Sequence, residues 1–591
     1  MKKENFLWNA VKTGLLGGAI GIFLCLIGMV EIFNKRDVIE DVVTLGQFVI
    51  LATVLVTGIT ASRRTSSLLG ENKPLHGLAA GLLAGAVTGT VIALLVLLGD
   101  GAQINIRAVF LNATPNLYKI LTFDKGAAGA WQLTAIGGGA GLVGAAFLLL
   151  PEMARRPLSR AVIFLVLMSL FAGIIRVPMV SQGGWWETTA KDLFGQTGLT
   201  KLGAGFFFAL VVIVTVFWSS QGKAVQTGVS RLPKTGQIFL RWLTILVIAY
   251  VALGLPQVSG PFIAQVIVII SLYILMGLGL NITLGFAGLL DLGFVAFYAV
   301  GAYTVGLLTS YGPFGLQHIP FWVAVPIAVL VAMAFGAFLG LPVLGVRGDY
   351  LAIATLGFGE IVRLLAGSDF LAKYFGGPQG VIGIQKPCIG TLDPFVKIDV
   401  PRVCHPLFTG DFLFWKNITI GGELGKPQDI YYLAIAAALV IAFVAWRLRE
   451  SRLGRAWMAI REDEDVAEAL GVNLVQTKLL AYMLGAAFAG LGGAIFTVLI
   501  GSIFASSMQF IVSINVVALI IVGGMGSIPG VIVGAIALIG LPELLREVSE
   551  FRYLIYGFTL IVMMLAKPEG LWPSTSTLRE LKAETKVEIE L

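Results

Sequence analysis

Apolar runs of about 20 residues follow one another along nearly the whole chain, and a run of that length matches the hydrocarbon thickness of a bilayer. No water reaches the backbone there, so such runs are expected to cross as helices whose N–H and C=O groups pair within the segment. About fifteen such segments can be marked. The fold class that follows is all-α, a polytopic transmembrane helical bundle. Composition agrees: 57% of the 591 residues are hydrophobic and 13% charged, with mean hydropathy +0.90. Soluble domains carry about 25% charged residues. The 73 glycines suit helices that approach closely in lipid. The first apolar run, after MKKEN, shows no small-residue cleavage site and reads as an anchor rather than a removable signal.

Loop charges then set an expected topology. The basic loops, around Arg63, Arg64 and Lys73, around Arg155, Arg156 and Arg160, and around Lys223, Arg231, Lys234 and Arg241, all fall on one side when spans alternate. The positive-inside rule makes that side cytoplasmic, with both termini. Residues 31–41, 100–125, 181–201, 312–320 and 369–429 fall on the other side. The net charge of +7 is explained by these loops and calls for no nucleic acid. The polar stretch 219–241 looks like a boundary. It separates an N-terminal membrane extension of about six spans (1–238) from a second membrane domain (239–573) and a cytoplasmic tail (574–591). An amphipathic piece over residues 105–118 has the character of a segment lying flat at the outer interface, or of a plain extracellular loop.

One polar segment, residues 450–478, interrupts the apolar C-terminal half, between runs 431–446 and 479–500. Its charges must lie in water, yet its apolar residues keep helical spacing. Leu453, Trp457 and Ile460 form one stripe, and Val466 and Leu470 a shorter one. Gly471 can take the positive φ that ends a helix, and Asn473 can cap the next. An ordered polar insert on the cytoplasmic side suggests a docking surface for a soluble partner.

From about residue 240 onward the chain resembles the M-type permease subunit of branched-chain amino-acid ABC importers. The resemblance rests on six motifs in order: GLNITLGFAGLLDLGFVAFYAVGAYT (279–304), LGVRGDYLAIATLGFGEIVR (344–363), GGPQGVIGI (376–384), SRLGRAWMAIREDEDVAEALGV (451–472), VGGMGSIPG (522–530) and KPEGLWP (567–573). It does not extend to the first 240 residues. It implies an ABC importer permease core in the inner or plasma membrane, one half of a permease heterodimer. Two ABC ATPase subunits would drive it, and an external substrate-binding protein would deliver a hydrophobic amino acid. The resemblance also implies an ATPase-coupling role for Arg461, Glu464, Val466, Glu468, Leu470 and Gly471, with Glu468 to Gly471 standing where the family has its short Glu-Ala-Ala…Gly signature. No G-x-x-x-x-G-K-[ST] loop occurs, so ATP is expected on the partner subunits and this chain carries no cofactor.

Glycine-rich stretches 284–293 and 522–530 interrupt apolar spans and suit broken helices along a path, or tight helix packing. Asp291 in the first is a candidate for meeting a substrate ammonium group, and capping the following helix is the stronger alternative. Ser513 and Asn515 are candidate polar groups on the translocation path, with interhelical hydrogen bonding as the plain alternative. Glu360 and Arg363 share a helical face and read as a self-neutralising pair. His76, His318 and His405 lie far apart with no metal-ligand or nucleophile–base spacing, so an enzyme is disfavoured. Cys25 reads as a buried apolar residue, whereas Cys388 and Cys404 share one long outer loop that would permit a disulfide. Two further readings stay open: a permease for urea or short amides, and a stand-alone secondary transporter or channel.

Overall fold

The computed structural model describes residues 4–69, 74–102, 104–122, 125–181, 183–230, 234–315, 319–343, 349–392, 404–412, 415–423, 425–544 and 551–573. The chain forms two compact units, Met1–Leu246 and Val247–Leu591. Eleven helices among the described residues are long and apolar enough to cross a membrane, and three shorter apolar helices accompany them.

In the first unit, α1 (Glu4–Leu26), α2 (Leu45–Leu69), α3 (Pro74–Val96) and α4 (Ala130–Phe147) pack together, while α5 (Glu152–Ser181) pairs with α6 (Lys201–Ser230). The α3–α4 seam is made by glycine. A Cβ on Gly85 would stand 2.2 Å from the Gly137 carbonyl, and one on Gly141 2.3 Å from that of Gly81. Small residues facing each other let two backbones touch, and dispersion then works where lipid offers no hydrophobic drive.

The loops assigned to one side by charge do meet. Asp37 N donates to Thr197 O at 3.1 Å, Glu40 N to Leu199 O at 2.8 Å, and Thr197 Oγ1 to Asp37 Oδ2 at 2.5 Å. Thr114 Oγ1 and Asn116 Nδ2 both donate to the Glu31 carboxylate. Only part of the 105–118 piece is helical: a single 3₁₀ turn at Ile106–Ala108, then a helix at Pro115–Thr122. Proline cannot continue a helix from before it, and Thr114 caps the one that starts there by accepting from Leu117 N at 3.1 Å.

The second unit is built around the part of α7 (Lys234–Leu280, broken at Gly260) that follows Leu246, with α8 (Val295–Thr309), α9 (Phe321–Val343) and α10 (Asp349–Gly367). After them come α11 (Pro427–Glu450), α12 (Arg452–Glu462), α13 (Glu464–Ala469), α14 (Leu474–Ile500), α15 (Phe510–Gly523), α16 (Ile528–Ala535) and α17 (Arg552–Ala566). One large apolar core runs through it, with α14 at its centre against α8 and α9. On α10, Arg363 Nε donates to both Glu360 oxygens at 3.0 Å, as the spacing suggests.

The long loop before α11 holds a feature the apolar runs do not announce. Three antiparallel strands, β1 (Cys388–Leu392), β2 (Cys404–Phe412) and β3 (Trp415–Glu423), pair with one another. Their ladder closes within the loop, and the Trp322 indole N–H at the start of α9 donates to Cys388 O at 2.6 Å. Cys388 is disulfide-bonded and Cys25 is free and buried, which leaves Cys404 as the remaining cysteine of the chain. His318, residues 344–348 of the second motif, and the tail 574–591 lie outside the described residues.

Replacing Gly85 by leucine forces α3 and α4 apart, and overpacking of this kind costs about 1–3 kcal/mol. The solubilised chain should lose several degrees of melting temperature. At Gly139 an added Cβ meets nothing within 4 Å, so Gly139→Ala should leave melting unchanged or slightly raised.

Candidate functional site

The polar insert forms two helices. Ser451 caps α12 by accepting from Gly454 N at 3.3 Å, and Asp463, in an extended conformation, caps α13 by accepting from Asp465 N and Val466 N at 3.0 Å. Asp463 is therefore where one amphipathic stretch becomes two. Two of the three α12 stripe residues turn inward: Trp457 is fully buried, Ile460 nearly so, and the Trp457 indole N–H donates to Thr477 O at 2.8 Å, while Leu453 stays exposed. The second stripe faces out, with Val466 54% and Leu470 78% exposed. Gly471 ends α13 with φ +88° and has nothing near it. Asn473 then caps α14 by accepting from Gln476 N at 3.0 Å.

Two side chains fasten the insert to the bundle. Lys478, almost fully buried at the start of α14, pairs with Glu464 at 2.7 Å. Arg461 Nη1 donates to the Gly285 carbonyl at 2.8 Å, 176 residues away. That carbonyl belongs to a π-helical turn, Asn281–Phe286, which ends the descent of α7. A π turn leaves carbonyls out of the regular ladder, where a guanidinium can reach them. Arg461 also lies against Gly288 and beside Gly526.

The glycine-rich interruptions thus converge on the insert. Gly526 N donates to Asn281 Oδ1 at 2.9 Å, joining the 522–530 stretch to the π turn. The KPEGLWP stretch closes the same place, since Leu571 N donates to Val522 O at 2.8 Å and Trp572 N to Gly523 O at 2.9 Å. Gly524 and Gly526 take φ of +121° and +73°, and Ser527 caps α16 by accepting from Gly530 N at 3.1 Å.

Beyond the π turn the backbone is irregular until α8 begins, inside the bundle, with the Phe294 ring packed over Gly279 and Gly485. Side chains answer the buried N–H groups of the approach and of the first helical residue. Leu292 N donates to Thr355 Oγ1 at 3.1 Å, Gly293 N to Asp291 Oδ1 at 2.9 Å, and Val295 N to Ser513 Oγ at 3.0 Å. Asp291 and Ser513, both about 1% exposed, therefore sit side by side at one helix end. Asp291 does not cap α8, whose N-cap is Phe294: its Oδ1 accepts from Gly293 N just ahead of the helix, and its other oxygen, Oδ2, has no hydrogen-bond partner. The hydroxyl of buried Tyr482 is likewise unpartnered and interacts electrostatically with Asp291, and Asn281 Nδ2 is a third orphan. Asn515 lies two residues along α15, half-buried, and does not join this cluster's hydrogen bonds.

Asn281, Tyr482, Lys478 and Thr355 were not singled out from the sequence. For Asn281 and Lys478 a signal existed, a polar residue at the edge of an apolar run. Thr355 and Tyr482 are ordinary span residues by composition. An apolar cavity of about 300 Å³ lies apart from the cluster, lined by Val300, Tyr303, Leu307, Phe335, Val362 and Phe375. Tyr303 Oη is buried and unpartnered there. Among the described residues, no group of three or more His, Cys, Asp or Glu could hold a metal ion.

Spans that break around glycine and gather at a polar insert define a multi-pass helical membrane permease. Residues 262–566 match the branched-chain amino acid transport system / permease component family, and the chain belongs to it. It is 35% identical over 402 residues to the high-affinity branched-chain amino acid transport system permease protein LivM of Salmonella typhimurium, covering 67% of this chain and 89% of that protein. The LivM protein of Escherichia coli is 38% identical over 350 residues, 58% of this chain and 77% of the relative. The LivH permease protein of S. typhimurium is 23% identical over 311 residues, 51% and 91%. No solved structure matches. The chain is accordingly an M-type transport permease subunit, not an enzyme.

Ser513→Ala removes the partner of a buried N–H and should cost about 1–3 kcal/mol, read as a lower melting temperature. Asn515→Ala, with no such donor to satisfy, should leave melting unchanged. Equal effects would remove the special place given to Ser513.

Proposed function

We propose that this chain is the membrane-spanning half-path of an ATP-driven importer for branched-chain or similar hydrophobic amino acids, and that α12–α13 couples it to ATPase subunits. The observation that carries the reading is the division of labour inside the insert. Val466, Glu468, Leu470 and Gly471 form an exposed turn with two large apolar side chains, on a charged segment that has no reason to expose them. Arg461 and Glu464, in contrast, tie that turn to the π turn and to α14. A soluble subunit seated on the turn would move Arg461, and Arg461 holds the first broken helix.

Likeness to both LivM and LivH proteins supports a heterodimer with a second permease. Two ABC ATPases and an external binding protein complete the expected assembly, with both termini and the insert on the cytoplasmic side. Substrate passage is assigned to the region of Asp291, Ser513 and Asn515. There, unpartnered oxygens of Asp291 and Tyr482 offer acceptors to an ammonium group in surroundings that are otherwise apolar.

Reconstitution of the full importer in liposomes tests the division. Val466→Asp with Leu470→Asp should lower substrate-stimulated ATP hydrolysis at least about tenfold, as loss of a central apolar anchor does. Arg461→Ala should leave hydrolysis largely intact but lower uptake per ATP. If both variants hydrolyse and transport like the parent, the insert is not the coupling element.

A further inference from the structure

The charged loop that opens α5 contains a feature that the transport reading leaves unused. A cavity of about 290 Å³ lies between α5 and α6, lined by Glu152, Arg156, Pro157, Arg160, Thr215 and Trp218. It is entirely within the first unit, outside the segment that matches the permease family. Its depth is set by the helices. From Lys201 to Trp218 α6 rises about 26 Å at 1.5 Å per residue, close to the roughly 30 Å hydrocarbon thickness. The Lys201 end adjoins the Thr197–Asp37 junction, so the cavity lies at the opposite membrane interface.

We propose that this cavity binds the phosphate headgroup of an acidic phospholipid. Arg156 is shared with Glu152 at 3.0 Å, and Arg155 reaches the same carboxylate at 3.5 Å. Arg160 has no ion pair among the described residues, so the two lining arginines and one glutamate, with Arg155 beside them on Glu152, leave net positive charge at the cavity. The start of α5 adds its own unpaired N–H groups to that field. Thr215, buried in the wall, supplies a hydroxyl. Trp218, 60% exposed, stands where an amphipathic ring sits at headgroup level. Toward the membrane interior, Ile163, Ile213, Val214 and Phe217 are exposed and continue the cavity as an apolar wall for acyl chains. A basic pocket joined to an apolar groove at the right depth has the shape of a lipid, and a free anion would use only the first half.

Native mass spectrometry of the full-length chain in detergent, titrated with phosphatidylglycerol and with phosphatidylcholine, tests this. One phosphatidylglycerol should be retained in preference to phosphatidylcholine. Arg156→Gln with Arg160→Gln should weaken that binding about tenfold or more, as loss of two basic groups at a membrane surface does. Glu152→Gln should tighten it, because the competing carboxylate is gone. Lys191→Gln, at the other interface and paired with Glu187, should change nothing. Unchanged retention in the double arginine variant overturns the proposal. So does displacement of the lipid by millimolar inorganic phosphate, which would mark a simple anion site. Melting of each variant in phosphatidylcholine discs should match the parent, separating lost binding from lost folding.

Discussion

A helix that begins inside a bilayer presents N–H groups to a medium with no water, and the protein must answer each one. The second unit is arranged around such a beginning, the start of α8. Three different segments contribute to it: Asp291 from the irregular approach, Thr355 from α10 and Ser513 from α15. Removing any of them leaves a buried donor bare, so these helices are held in one register by local hydrogen bonding rather than by apolar contact alone. The same requirement shapes the other break. There the 522–530 stretch has its carbonyls met by the backbone of Leu571 and Trp572, and its Gly526 N–H by Asn281.

Those two breaks touch each other, and Arg461 touches the place where they meet. The insert is attached to this junction by few but directional contacts, namely Arg461 to Gly285, Trp457 to Thr477 and Lys478 to Glu464. These directional bonds act together with the burial of Trp457 and Ile460, and Trp457 joins the main apolar core. Val466 and Leu470 stay exposed outside these bonds, as does Leu453 on α12.

The helical membrane class, the ends of the insert at Asn473 and Gly471 and the Glu360–Arg363 pair were legible because each depends on spacing within a few residues. About fifteen spans were expected, whereas eleven helices among the described residues are long and apolar enough to cross. The two amphipathic stripes were legible too, and their periodicity was enough to place an ordered insert between spans. Their opposite orientations were not, because burial of Trp457 depends on Thr477 and on the bundle behind it. The hydrogen bond from Arg461 to Gly285 joins positions 176 residues apart and leaves no local trace. Ser513 and Asn515 illustrate the same limit. Two residues apart and equally polar on paper, they differ in that a helix start happens to arrive beside the first. The three strands at residues 388–423 escaped notice because hydropathy over long windows sees only spans.

Close packing decides what can move. A Cβ on Gly301 would lie 2.2 Å from the Gly490 carbonyl, and one on Gly493 2.0 Å from the Tyr298 carbonyl, so α8 and α14 are in backbone contact along their middles. Helices joined this way slide or rotate only together, since either backbone blocks the other. The head of α14 is held by the insert through Thr477 and Lys478, while the start of α8 carries Asp291 and its unpartnered oxygen. On the proposed reading, a displacement at Val466 and Leu470 reaches Asp291 by two routes, along α14 to α8 and through Arg461 to the π turn. Both routes end on the same irregular segment between residues 287 and 294, where Leu292 N and Gly293 N are held by side chains and not by a helical ladder. Strain entering from either side converges there, beside the buried Asp291 with its unpartnered oxygen.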